Sequence, residues 1–156
     1  MDIKPFDILF YKGNSLISHL IEKQTHSPYS HVAMVLDDKH IIEIDRNYNL
    51  RINHINYSSK SFDIYRLKEE LEPWQKENLI DYMYSILDSK YDFKEIFDII
   101  MYKVFKIKLW NNPSKYICSS WINDGLKTIG ITLSSNELVT PQDLISDKLY
   151  LVKKGK

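Results

Sequence analysis

Five short runs rich in apolar, β-branched and aromatic residues crowd into the first 67 positions of this chain, and helical spacing takes over after Pro73. The runs are Phe6–Tyr11, His31–Leu36, Ile41–Ile44, Leu50–Ile55 and Phe62–Leu67. Each is of strand length, and turn-forming residues separate them: Gly13-Asn14 after the first, Asp37-Asp38-Lys39 between the second and third. The second and third runs read as a hairpin. Between the first and second, apolar residues at 16, 17, 20 and 21 give helical spacing over Ser15–Gln24, with Asn14 or Ser15 as cap. From Pro73 apolar residues recur at 74, 79, 80, 83, 86 and 87, and proline suits a first helical turn because its missing N–H would be unpaired there anyway. A second helical stretch spans about Phe93–Phe105, and a third runs through Cys118 to about Thr128, ended by Gly130. Thr140-Pro141-Gln142-Asp143 reads as a cap with proline behind it, and Leu149–Val152 as one returning strand. Strands first and helices after exclude an alternating βαβ design. The pattern predicts one α+β domain over residues 1–156, an antiparallel sheet packed against helices.

Cys118 is the only cysteine, so no intramolecular disulfide holds the chain together, which fits a reducing compartment. The spacing puts it in the first turn of its helix, where free N–H groups and the helix dipole favour a thiolate and an oxyanion. A thiol nucleophile needs a base fixed by a third polar group. His31 opens an apolar strand and Glu43 follows twelve residues later on the next. A hairpin loop with an odd number of residues centred on Asp37 places 31 opposite 43; a two-residue loop at Asp38-Lys39 puts them on opposite faces. Each residue also has a plain reading. A lone cysteine on an apolar helix is often a small buried hydrophobe, His31 can end a strand, and Glu43 can face solvent.

Lys plus Arg and Asp plus Glu both number 21, so no net charge recruits nucleic acid or an anionic membrane. Met1–Tyr11 lacks the apolar core of a secretory signal, and no apolar run is long enough for a membrane span. A cytoplasmic protein is expected; a phage or viral protein inside a host cell reads the same. His19, His26, His40 and His54 have no recognisable zinc spacing and are read as surface or loop residues. No phosphate loop or Gly-x-Ser-x-Gly elbow occurs. Segment 96–110 mixes ten large apolar residues with Lys103, Lys106 and Lys108. It is either a core helix with snorkelling lysines or a peripheral membrane or acyl-chain contact.

Ser30-His31-Val32-Ala33-Met34-Val35-Leu36 followed by Ile41-Ile42-Glu43-Ile44 resembles the histidine strand and its successor in NlpC-type papain-like cysteine hydrolases. The cysteine here follows the histidine, which resembles the circularly permuted branch: YiiX-like proteins, lecithin retinol acyltransferase relatives and a poxvirus group. Phe6-Asp7-Ile8-Leu9-Phe10-Tyr11, Tyr29-Ser30-His31, Lys90-Tyr91-Asp92-Phe93, Tyr116-Ile117-Cys118-Ser119 and Thr140-Pro141-Gln142-Asp143-Leu144 extend the likeness, in order, over nearly the whole chain. Ala33 stands where a glycine is common and Ser120 where an acidic residue is common. The resemblance implies a circularly permuted papain-like fold with Cys118 as nucleophile, His31 as base then acid, Glu43 orienting it, and Tyr91 beside the oxyanion. It implies acyl transfer from a peptide, lipopeptide or lipid substrate, without metal or organic cofactor.

Overall fold

The first strand of the chain lies inside the sheet. In the computed structural model, which describes residues 3–12, 28–44, 50–56, 62–88, 114–136 and 139–155 (114–117 by backbone alone), six strands form one sheet. They are β1 (Ile8–Tyr11), β2 (His31–Val35), β3 (His40–Ile44), β4 (Leu50–His54), β5 (Phe62–Leu67) and β6 (Leu149–Lys153). Their order is β4-β3-β2-β1-β5-β6, and every neighbouring pair is antiparallel. Helix α1 (Pro73–Asp88) and helix α2 (Ser114–Thr128) follow the fifth strand, and a 3-10 turn at Gln142–Leu144 precedes β6. The fold is α+β, as the order of the runs predicts. The helices expected at Ser15–Gln24 and Phe93–Phe105 lie outside the described residues.

Both sheet faces are buried along the central strands, so these read as nearly continuous apolar runs rather than strict alternation. On one face Ile8, Phe10, Val32, Met34, Ile42 and Ile44 pack with Leu79 and Met83 of α1 and Trp121, Ile122 and Leu126 of α2. Leu9, Tyr11, Ala33, Val35, Ile41 and Ile64 form a second cluster on the other. Helices α1 and α2 meet at Gly125, where an added Cβ would stand 2.8 Å from the Tyr82 ring. Helix α2 stops in a Schellman turn: Gly130 takes φ +82°, and Ile131 and Gly130 donate to the carbonyls of Leu126 and Lys127 at 2.9 and 3.0 Å. The loop behind it is held from within the helix. Buried Asn123 accepts from the amides of Leu133 and Ser134, both at 3.1 Å, and donates to the Ser134 carbonyl at 3.0 Å.

A buried charge pair secures the start of the sheet. Arg66 donates to both oxygens of fully buried Asp7, at 2.7 and 2.9 Å, and the Lys4 amide adds a third bond at 2.9 Å. Asp7 in turn closes a Lys4–Asp7 turn through a 3.2 Å backbone bond, with Pro5 at the second position and Phe6 at φ +70° at the third. Glycine is the usual residue at that third position of a type II turn. Among the described residues no helix is long and apolar enough to cross a membrane.

Candidate active site

The hairpin of β2 and β3 sets the site. Its register pairs Met34 with Ile42 and Val35 with Ile41, so the loop is centred on Asp38 and Ala33, not His31, faces Glu43. This corrects the expected centre at Asp37 by one residue. The odd loop still leaves His31 and Glu43 on one face, now as diagonal neighbours, a spacing that a long side chain spans. His31 Nε2 and Glu43 Oε2 are 3.2 Å apart. A carboxylate only accepts, so Nε2 carries the proton.

Strand β4 completes the carboxylate's surroundings. Asn53 Nδ2 donates to Glu43 Oε1 at 2.9 Å and Arg51 Nη2 to the same oxygen at 3.1 Å. Glu43 is therefore a buried, fully engaged carboxylate and not the solvent-facing charge of its plain reading. Burial alone would raise its pKa; bonds from His31 and Asn53, the charge of His31 and the Arg51 bond outweigh it and bring the group to about 2. Neither Asn53 nor Arg51 was singled out in the sequence. The signal was there only as alternation on β4, since the β3–β4 register sets Arg51 opposite Glu43 and Asn53 diagonal to it on the same face.

Cys118 meets the pair from α2. It is the fifth residue of the helix, not a first-turn residue, because the helix already begins at Ser114. Its amide lies inside the i→i−4 ladder, so it is not a free oxyanion donor as expected. Cys118 is completely buried, and its side chain is hydrogen-bonded with His31. His31 is the first residue of β2, which puts its ring at the margin of the sheet, within reach of a helix packed on the other face. Burial pulls the imidazole pKa down, but the hydrogen bonds to Cys118 and Glu43 and their charges prevail, raising it to about 9. The ring also lies against Tyr11, its partner across β1 and β2, with centroids 5.6 Å apart. Burial, then the charge of Glu43, pushes the Tyr11 phenol above its ordinary range.

Three of the four expected site residues, Cys118, His31 and Glu43, are thus contiguous. Tyr91 and segment 96–110 lie outside the described residues, as do His19 and His26. His40 and His54 lie on strands and not in loops; His54 is exposed, as the surface reading has it, and His40 is half-buried. A cleft of about 430 Å³ sits at the opposite end of the sheet, between Lys4, Phe6, Arg66, Lys68, Leu71 and Tyr150. Its lining holds no nucleophile–base pair of the kind formed by Cys118 and His31. Among the described residues no group of three or more His, Cys, Asp or Glu side chains can hold a metal ion.

No protein-family model and no curated protein matches the sequence. The structure of the Escherichia coli protein titled metalloprotein YiiX matches with a TM-score of 0.59. The match covers 99% of this chain and 98% of that one at 18% identity. The chain has a YiiX-like fold. Identity at that level speaks for architecture alone. The site above is therefore read from this chain's own side chains.

Proposed function

We propose that this YiiX-like chain is a cysteine hydrolase of circularly permuted papain-like architecture, acting on an amide in a cell-wall peptide or lipid-linked substrate. The observation that carries the reading is the relay from buried Glu43 through His31 to Cys118, with Asn53 and Arg51 fixing the carboxylate. A histidine whose Nε2–H is tied to a carboxylate keeps Nδ1 for the sulfur, and the carboxylate stabilises the imidazolium. The imidazolium next to the sulfur favours thiolate over thiol.

In the first step the Cys118 sulfur bonds to the carbonyl carbon. As the tetrahedral intermediate collapses, the C–N bond breaks and His31 gives its proton to the departing amine. In the second, His31 takes a proton from water as that water attacks the thioester. The C–S bond then breaks, releasing the acid and restoring the Cys118–His31 pair. With the Cys118 amide inside the helix, the oxyanion takes its hydrogen bonds from elsewhere. Tyr91 is one source. The buried Nε1–H of Trp121, one turn along α2 and without an acceptor among the described residues, is another. The fold neighbour is titled a metalloprotein; the two steps above are carried by this chain's own Cys118 and His31.

An acyltransferase acting on lipid esters uses the same attack by Cys118, but the C–O bond breaks, His31 gives its proton to the departing alcohol, and the acyl group passes to an acceptor other than water. Complete burial of the sulfur favours a second reading, a catalytically silent binding fold. Acyl-enzyme trapping separates enzyme from binder. Wild type and Cys118→Ala are incubated with p-nitrophenyl acetate, a lipid ester and a peptide amide, and intact masses are recorded. An adduct on the wild type that is missing from Cys118→Ala and lost in His31→Ala supports the hydrolase. Equal, slow labelling of wild type and His31→Ala supports the binder.

A further inference from the structure

The far end of the same β3–β4 ladder carries a feature the hydrolase does not use. His40 and His54 are directly opposed across β3 and β4, with ring centroids 4.7 Å apart and planes inclined by 41°. The Ile55 amide donates to the Lys39 carbonyl at 2.8 Å, so residues 39 and 55 form a hydrogen-bonded pair. Pairs alternate along an antiparallel ladder, and 40 with 54 is therefore a non-hydrogen-bonded pair, the kind that brings side chains closest. His40 and Glu43 are three positions apart on one strand, so the two histidines stand on the face opposite to the Glu43 carboxylate.

The third component is Asp37. Both its carboxylate oxygens lie 2.9 Å from His40 Nδ1. The carboxylate can only accept, so Nδ1 bears hydrogen and Nε2 is the nitrogen left to meet a cation. Asp37 is itself pinned by the Lys39 and His40 amides at 2.8 and 2.7 Å, which fixes the ring it holds. A carboxylate on the distal nitrogen is the usual support of a metal-bound histidine, setting tautomer, orientation and basicity. The separation also fits. A cation about 2.0–2.1 Å from one nitrogen of each ring, with its bonds at a right to tetrahedral angle, sets the centroids roughly 4.5–5.2 Å apart.

We propose that His40 and His54 chelate one late first-row divalent cation, Ni²⁺, Cu²⁺ or Zn²⁺, with Asp37 as the supporting carboxylate and water in the remaining positions. Imidazole nitrogens select these metals over Mg²⁺ and Ca²⁺, which prefer oxygen. His40 is half-buried and His54 exposed, so the cation reaches the pair from solvent.

The test is calorimetric titration of untagged protein with NiCl₂, a probe that does not oxidise Cys118. Four variants are compared: His54→Gln, His40→Gln, Asp37→Asn, and His19→Gln with His26→Gln. Far-UV circular dichroism checks that each is folded. The proposal expects one Ni²⁺ per wild-type chain, no measurable site in either single histidine variant, and roughly 10–100-fold weaker binding in Asp37→Asn. It expects unchanged binding in the His19/His26 double variant, and no response of wild type to MgCl₂. Unchanged binding in folded His54→Gln, loss in the His19/His26 variant, or no Ni²⁺ binding by wild type overturns it. None of these outcomes bears on the Cys118 reading, which has its own labelling test.

Discussion

Glu43 is the residue on which the proposed chemistry turns. Four groups press on it: His31, Asn53 and Arg51 bond it, and the Tyr11 phenol senses its charge. Replacing it by glutamine keeps the shape and removes the charge. Glu43→Gln is expected to lower the His31 titration midpoint by about one unit or more from its position near 9, as read by NMR of the imidazole protons. An unchanged midpoint would mean that the carboxylate does not hold the imidazolium. That Cys118, His31 and Glu43 come together was legible in the sequence from the strands and the helix that carry them. Their support was not. Asn53 and Arg51 look like ordinary polar residues on a strand, and only the β3–β4 register turns them toward Glu43.

Among the elements, strand positions and types were legible because the apolar runs are short and end at turn residues. The ends of β5 and the start of α1 fall where the sequence places them, at Phe62–Leu67 and Pro73. The start of α2 did not. Nothing in Ser114-Lys115-Tyr116-Ile117 distinguishes a loop from a first turn, and the extra turn carries Cys118 past the free amides. Hairpin register was equally hidden, because Asp37, Asp38 and Lys39 all suit a turn and one residue of slip changes the cross-strand partner of His31. The cross-strand pair of His40 and His54 was hidden for the same reason, fourteen positions apart in sequence. The α1–α2 contact gives a prediction at this scale. Gly125→Ala places a methyl 2.8 Å from the Tyr82 ring. It is expected to cost about 1–3 kcal/mol of stability in urea denaturation, more than helix propensity returns. A stabilised variant would mean that the helices pack less closely than described.

For the whole molecule, the paired groups make stability depend on pH on both sides of neutrality. His31 is raised to about 9, so its contribution is complete below its unfolded value of 6.5 and is lost as pH rises through 9. Glu43 is lowered to about 2, so its contribution is complete above 4.5 and is lost as pH falls through 2. Each shift is on the order of 3 kcal/mol, and because both arise partly from one contact they do not add. Stability from this pair is therefore greatest between 4.5 and 6.5. Chemical denaturation across pH should show the alkaline decline in wild type and not in His31→Ala. Identical pH dependence in the two would remove His31 as the titrating group.

The most direct test of the central claim, that His31 activates Cys118, is the rate of iodoacetamide alkylation of Cys118 against pH in wild type and in His31→Ala. Comparing two folded proteins with the same buried sulfur separates activation from access. The account predicts that the wild-type profile shifts on losing the imidazolium, with the rate at pH 7 falling by about tenfold or more, the equivalent of one pKa unit. Superimposable profiles would contradict it, leaving Cys118 a buried core residue beside a histidine that does other work.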